Sequence, residues 1–187
     1  MGHSFEFSPV LQITELNNCL RADFPVYYDF PGDFHPFWEM VYVDGGEVLI
    51  NADKTSHVLK QGEIIFHKPN EFHTISSNKK TPANVFVISF ATASKSMVYF
   101  RGRKMMLPEH LRPYIKTLMR EGRATFALPF NNPGLRELQL KESAPFGGQQ
   151  LIRTTLEQLL ILLVRTQEQR AKTPHIFPDK ESMDNHL

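Results

Sequence analysis

Between residues 33 and 73 the chain gathers the side chains most able to do polar chemistry. In Asp33-Phe34-His35-Pro36-Phe37-Trp38-Glu39 alternate positions share parity, so an extended strand would turn Asp33, His35 and Glu39 to one face. Further on, His67 and His73 bracket Lys68-Pro69-Asn70-Glu71-Phe72. The proline and the Asn-Glu pair predict a tight reversal that returns the chain toward the same surface. Two imidazoles and a carboxylate with open positions suit a non-haem Fe(II) site, and the same ligand types suit Zn, Mn or Ni. These residues can equally be strand-end polar groups, bonded to neighbours or to water. No nucleophile beside a base, phosphate-cradling glycine loop or zinc-type cysteine pairing accompanies them.

A β segment must position this cluster. From about residue 9 to about residue 100, Val, Ile, Phe, Tyr and Thr are abundant, and Gly, Asn-Asp or Pro interrupts them roughly every 6 to 12 residues, the spacing of an all-β sandwich or barrel. Strands are predicted at Phe37–Val43, Gly46–Asn51, Thr55–Leu59, Glu63–His67, Phe72–Ser76 and Asn84–Ala91. Asp44-Gly45-Gly46, Ala52-Asp53-Lys54, Gln61-Gly62 and Lys79-Lys80-Thr81-Pro82 supply the turns. Short antiparallel strands without helices between them need a second sheet, which predicts a jelly-roll or a barrel. Phe37, Trp38, Tyr42, Phe66, Phe72, Phe86 and Phe90 flank the polar cluster, and most of these rings must be core. Parity places Phe37 with His35 and Glu39, and puts Trp38 and Tyr42 on the opposite face. Phe37 is therefore the aromatic expected in a pocket.

From Pro108 onward Leu, Arg, Glu and Gln dominate and the apolar spacing becomes three and four, the helical period. The chain thus divides into a β-barrel over 1–105, a helical region over 106–170 and an exposed linker over 171–187, with an irregular connector from Phe126 to Phe146. One helix is predicted near Leu107 to Gly122, with Leu111, Ile115, Leu118 and Met119 on its apolar side. Another runs from Gln149 to Arg170, where Ile152, Leu156, Leu159, Leu163 and Thr166 follow the steps of a coiled-coil seam. Leu160 and Leu162 widen that seam until the middle of the helix is apolar almost all round, so two surfaces should cover it. Either a second copy supplies one of them, or the β half and the other helix enclose it.

With 187 residues, 21 Lys+Arg against 20 Asp+Glu and a formal net charge of +1, no bulk field draws the chain to nucleic acid or membrane. Its single cysteine, Cys19, cannot form an internal disulfide and suits a reducing compartment. The longest apolar run, Leu159 to Val164, is far short of the roughly 20 residues a membrane span needs. Glu6, Glu15, Asn17 and Asn18 interrupt what a secretory signal would keep apolar, so a cytoplasmic location is expected.

His35, three residues, Glu39, six residues and Gly46 resemble the second half of the first cupin motif, while Gly62, Pro69 and His73 resemble the second motif in order and spacing. The whole run from Gly62 to His73 is similar to the sensor domains of AraC-type transcription regulators, in which a cupin precedes paired helix-turn-helix units. Glu142 to Ile152, followed by Leu156-Glu157-Gln158-Leu159-Leu160, resembles the connector and long helix of the same regulators.

The resemblance implies a mainly β chain, a cupin-like double-stranded β-helix (jelly-roll barrel) followed by α-helices. It implies an effector-sensing and dimerisation region, not an enzyme. Effector contacts would fall on His35, Phe37, Glu39, His67 and His73. Carried over by position, a metal set would be Asp33, His35, Glu39 and His73, able to take Zn, Fe, Mn or Ni, and no cofactor is required. Asp33 stands where metal cupins carry the first histidine of a pair, and Ser77 stands where an asparagine is usual. A carboxylate in place of imidazole lowers selectivity for borderline metals. The implied partners are a small-molecule effector, sugars included, and a second copy joined through Ile152, Leu156, Leu159 and Leu163. DNA would be contacted only through a helix-turn-helix part beyond Leu187. A stand-alone metal-dependent cupin enzyme of dioxygenase or sugar-isomerase type would use the same pocket with a tightly held ion. A carbohydrate-binding module would instead expose aromatic platforms.

Overall fold

The segment from Trp38 to Val43 is apolar at every position but Glu39, and a strand of that kind must be covered on both faces. A computed structural model of the protein, describing residues 6–128 and 137–172, shows what covers it. The strands are β1 (Glu15–Phe24), β2 (Asp29–Asp33), β3 (Trp38–Gly45), β4 (Glu47–Ala52), β5 (Thr55–Lys60), β6 (Glu63–His67), β7 (His73–Ser77), β8 (Ala83–Ala91) and β9 (Lys104–Met106). They form a five-stranded sheet in the order β1-β8-β3-β6-β9 and a four-stranded sheet in the order β2-β7-β4-β5. Every pairing is antiparallel. Helices α1 (Arg112–Thr125) and α2 (Gly148–Lys172) follow. This is the mainly β jelly-roll with C-terminal helices that the sequence predicts.

Alternation along the larger sheet separates two cores. Val41 and Val43 of β3, Val85 and Val87 of β8 and Ala22 and Phe24 of β1 face the smaller sheet, meeting Val48, Ile50, Leu59 and Ile75. Trp38, Met40 and Tyr42 of β3, with Phe86, Ile88 and Phe90 of β8, face the other way and pack under Ile115 and Leu118 of α1 and Ile152, Leu156, Leu159, Leu160 and Leu163 of α2. Trp38 and Tyr42 thus lie on the face opposite Glu39, as parity predicts. Turn positions are met where expected: Gly46 has φ 76°, and a Cβ there would collide with the Pro82 carbonyl oxygen. Asp53 and Lys79 also adopt positive φ in their turns.

The helical half corrects one expectation. Ile152, Leu156, Leu159 and Leu163, predicted at a dimer seam, are 0–1% exposed within the chain itself. The all-round apolar middle of α2 is satisfied by the β half on one side and α1 on the other. At about 2 kcal/mol for each buried leucine, this packing fixes the helix in place and leaves those four residues unavailable to a second copy. β1, β2 and β9 are additions to the predicted strands. Polar residues Asn17, Asn18, Arg21 and Asp23 mask the period of β1, and a Pro-Gly pair masks β2. In the connector, Phe126 and Leu140 form an isolated bridge, and residues 129–136 lie outside the described residues. The predicted linker lies outside them too, except for its first two residues, which close α2.

Candidate functional site

Strand register explains how the polar cluster assembles. Asn18 of β1 pairs with Ser89 of β8, Ser89 with Glu39 of β3, and Glu39 with His67 of β6. One rung of the sheet's inner face is therefore polar across β1, β8, β3 and β6. The next rung, Leu20, Val87, Val41 and Ile65, is apolar. From the smaller sheet His73 of β7 reaches into the same space, paired in register with Asp33 of β2. His35 comes from the segment between β2 and β3, whose backbone is pinned when the Asn70 N–H donates to the His35 carbonyl at 2.8 Å. Asn70 has φ 60°, which makes the tight reversal predicted between His67 and His73.

At the centre is Glu39. Its Oε1 lies 3.2 Å from His73 Nε2, and its Oε2 lies 3.4 Å from His35 Nε2 and accepts from the Ser89 hydroxyl at 2.8 Å. Burial alone would raise the Glu39 carboxyl. Hydrogen bonds from His35 and His73, with the positive charge of His73 and then of His67, outweigh it and hold the group well below the usual carboxylate range. Both flanking imidazoles are oriented from behind: His35 Nδ1 sits 3.0 Å from the Phe37 carbonyl and His73 Nδ1 sits 3.0 Å from the Glu71 carbonyl. A carbonyl only accepts, so each Nδ1 carries hydrogen and each Nε2 is turned toward Glu39. The outer histidine ring stacks on Phe37 with centroids 4.0 Å apart.

His67 forms a second layer behind His73, the two rings stacked at 4.1 Å. Its Nδ1 donates to Glu71 Oε2 at 2.9 Å, and Lys68 Nζ donates to Glu71 Oε1 at 2.8 Å and to Asp53 Oδ2 at 3.0 Å. Burial pushes the His67 imidazole down despite Glu71. His73 also loses solvation, but its bond to Glu39 prevails and pushes it up. Two stacked rings cannot both be charged cheaply, and these environments drive them apart. Glu71, desolvated yet bonded by His67 and Lys68, is lowered to about 2.

Of the expected metal set, His35, Glu39 and His73 offer donor atoms all within 4.8 Å of one another. Asp33 is not in that group; its Oδ1 accepts the Phe34 amide at 2.8 Å, and it lines the adjoining wall. Two imidazole nitrogens oriented through their Nδ1 bonds, plus one carboxylate, fit a divalent ion as a donor set. The expected effector residues His35, Phe37, Glu39, His67 and His73 all line one cavity of about 190 Å³, whose apolar wall includes Phe24, Phe30, Ile75 and Val87. Phe66, Phe86 and Phe90 belong to the helix-side core, and Phe72 is half exposed.

Three functional positions escaped the sequence reading: Asn18, Ser89 and Glu71 in its role as His67 partner. Ser89 was legible, since it continues the inward parity of Val85 and Val87. Glu71 carried the same i, i+4 spacing from His67 that Glu39 has from His35. A wider cleft of about 610 Å³ opens between residues 13–16 and the start of α2. In its lining Arg153 pairs with Glu157 at 3.0 Å, and Glu157 accepts from the Ile13 amide at 2.8 Å.

Residues 18–105 match the family model of the AraC-like ligand binding domain. No curated protein sequence matches the chain. Among solved structures, TT1209 from Thermus thermophilus is similar over 43% of this chain and 80% of its own, at 15% identity and a TM-score of 0.39. A protein from Thermotoga maritima described as a predicted oxalate decarboxylase is similar over 41% of this chain and 68% of its own, at 18% identity and a TM-score of 0.40. The cupin domain of Cnp3 from Schizosaccharomyces pombe is similar over 49% and 71%, at 10% identity and a TM-score of 0.38.

Proposed function

We propose that the chain is the effector-sensing region of an AraC-type transcription regulator, cytoplasmic and without catalytic activity. Its cavity would take a small organic effector whose binding controls DNA contact by helix-turn-helix units beyond Leu187. The observation that carries this reading is a coincidence of place. The stretch matching a ligand-binding family model, residues 18–105, is the stretch that builds the cavity with its histidine–carboxylate cluster and aromatic wall. A small-molecule site is expected to combine apolar walls with a few placed polar groups in this way. The homodimer implied by the resemblance remains part of the proposal. Its contact moves to the outer side of α2, where Leu151 is exposed and Ile161, Leu162 and Val164 are half-buried.

The donor set favours a second reading, a metal-dependent cupin enzyme. His35, Glu39 and His73 would hold the ion, which when bound would polarise an oxygen ligand as a Lewis acid. In either case Ser89 and His67 hold Glu39 and His73 in position, and Phe37 backs His35. One experiment tests the proposal: a thermal-shift screen of the chain against small metabolites, with and without Zn²⁺, repeated on the H35A/E39A/H73A variant. Hits that require the three residues without added metal support the receptor. Hits unaffected by the substitutions remove the site, and a stoichiometric metal accompanied by turnover of a hit replaces the receptor with the enzyme.

A further inference from the structure

The inner face of the larger sheet ends, on its β1 side, in a polar group that the cluster around Glu39 does not use. Asn18 is 3% exposed, lines the cavity, and its Oδ1 is buried without a hydrogen-bond partner. Chain geometry has gone out of its way to put it there. Leu16 packs in the helix-side core, and two residues on at the same parity Asn18 would face that core too. A register shift between Leu16 and Asn18 in the pairing with β8 turns the strand over, so that Asn18 enters the polar rung beside Ser89 while Cys19 takes the helix side. Bulges of this kind re-aim side chains next to functional sites. An unpartnered amide oxygen in a buried place is unfavourable for folding, and a ligand that donates to it would relieve that cost.

A second acceptor group faces the same cavity: the Glu39 carboxylate lines its wall, with Oε1 3.2 Å from His73 Nε2 and Oε2 3.4 Å from His35 Nε2. Among the described residues, the charged side chains lining the cavity are the carboxylates Asp33 and Glu39 and the histidines; Lys and Arg are absent from its walls. The walls therefore offer acceptors in excess of permanent cations. From this we infer that Asn18 is a specificity-determining ligand contact, and that the cavity selects a small organic molecule bearing hydroxyl or amine donors and no negative charge. The inference rests on the cavity being a ligand site and adds to it which residue reads the ligand and what chemistry it reads.

The probes are a matched three-carbon series: glycerol, its 2-amino analogue serinol, and glycerate, titrated into the ¹⁵N-labelled whole chain and followed by NMR. Glycerol or serinol should shift the Asn18 side-chain amide and the backbone signals of His35 and Ser89, with glycerate at least about tenfold weaker, the ratio that one lost hydrogen bond supplies. Whichever of the two binds more tightly tells hydroxyl from amine. Asn18→Leu should weaken the better probe about tenfold while Tm stays the same or rises, since an unpartnered buried polar atom has been removed. Asn18→Asp keeps the acceptor and should keep binding, with serinol gaining on glycerol. A fall in Tm of more than about 4 °C in Asn18→Leu would mark Asn18 as a structural group and overturn the inference. So would equal affinity in wild type and Asn18→Leu, or binding of glycerate as tight as that of the other two, and in both cases the cavity would stand as a ligand site. If no probe moves any cavity signal, this inference falls, while the ligand-site reading stands or falls with the metabolite screen on the H35A/E39A/H73A variant.

Discussion

The two faces of the five-stranded sheet are built from the same strands and do opposite work. Its outer face packs Trp38, Met40, Phe86 and Phe90 under α1 and α2 and reads as a stabilising core. Its inner face changes character from one rung to the next: Leu20, Val87, Val41 and Ile65 are replaced, one step along the strands, by Asn18, Ser89, Glu39 and His67. Apolar contacts are interchangeable to a degree, whereas a buried polar rung tolerates little, because each group needs its partner. Both faces therefore bury an apolar core, and the inner one also carries a buried polar rung. The two ought to separate under mutation.

The largest effect should come from the outer face. Leu156 is 0% exposed, so Leu156→Glu buries an unpaired charge and should cost about 3–5 kcal/mol, a large part of the about 5–15 kcal/mol that holds a domain together. Urea denaturation followed by circular dichroism should show the variant unfolded or shifted far to lower urea. A well-folded variant with an unchanged midpoint would return α2 to the role of an intermolecular seam.

Next in size is Glu39→Gln on the inner face. Replacing the carboxylate keeps the shape but removes charge-assisted bonds to His73 and Ser89, costing about 2 kcal/mol of stability. Zn²⁺ affinity measured by calorimetry should fall at least about tenfold, equivalent to about 1.4 kcal/mol. Asp33→Asn should leave Zn²⁺ affinity nearly unchanged, since its oxygens are outside the donor group. Equal losses in the two variants would restore the four-ligand set.

The same division governs what could be read from the sequence. Six strands, the turns at Gly46 and Asp53, both helices and the parity of Phe37 against Trp38 were legible because each is a local pattern of period or turn chemistry. The site was legible where a motif spacing carried it, at His35, Glu39 and His73. Asn18 was not, because a bulge inverts the parity on which such reasoning depends, and Asn17-Asn18 looks like a turn. The placement of α2 was undecidable for a different reason: a helix apolar all round records how much surface must be covered, not whether the cover belongs to the same chain.

A smaller effect marks the boundary between the faces. Cys19 is adjacent to Asn18 but points to the helix side, where it is 1% exposed with Sγ 3.7 Å from the Leu118 carbonyl oxygen. Burial pushes its thiol up to about 12, so at pH 8 the native protein holds almost no thiolate there. A disulfide reagent should leave it untouched in the native state and titrate one thiol in denaturant. Rapid native labelling would mean that β1 opens from α1, and that the bulge is a mobile element instead of a fixed one.

The smallest expected effect on stability carries the comparison over to α2 itself. One side of this helix is the outer-face core; the other presents Leu151 at 48% exposure, followed by half-buried Ile161, Leu162 and Val164. A charge placed on an already hydrated surface loses little, so Leu151→Glu should change the urea midpoint by no more than about 0.5 kcal/mol equivalent. Its consequence for association should be disproportionate. If two copies meet through this side, the substitution puts two like charges near a shared apolar contact, and sedimentation should show the dimer weakened while circular dichroism is unaltered. A wild type that dimerises and a Leu151→Glu variant that dimerises equally well would take pairing away from this end of α2. In that case the helix serves the fold alone, with its apolar excess fully explained by the sheet and α1 that enclose it.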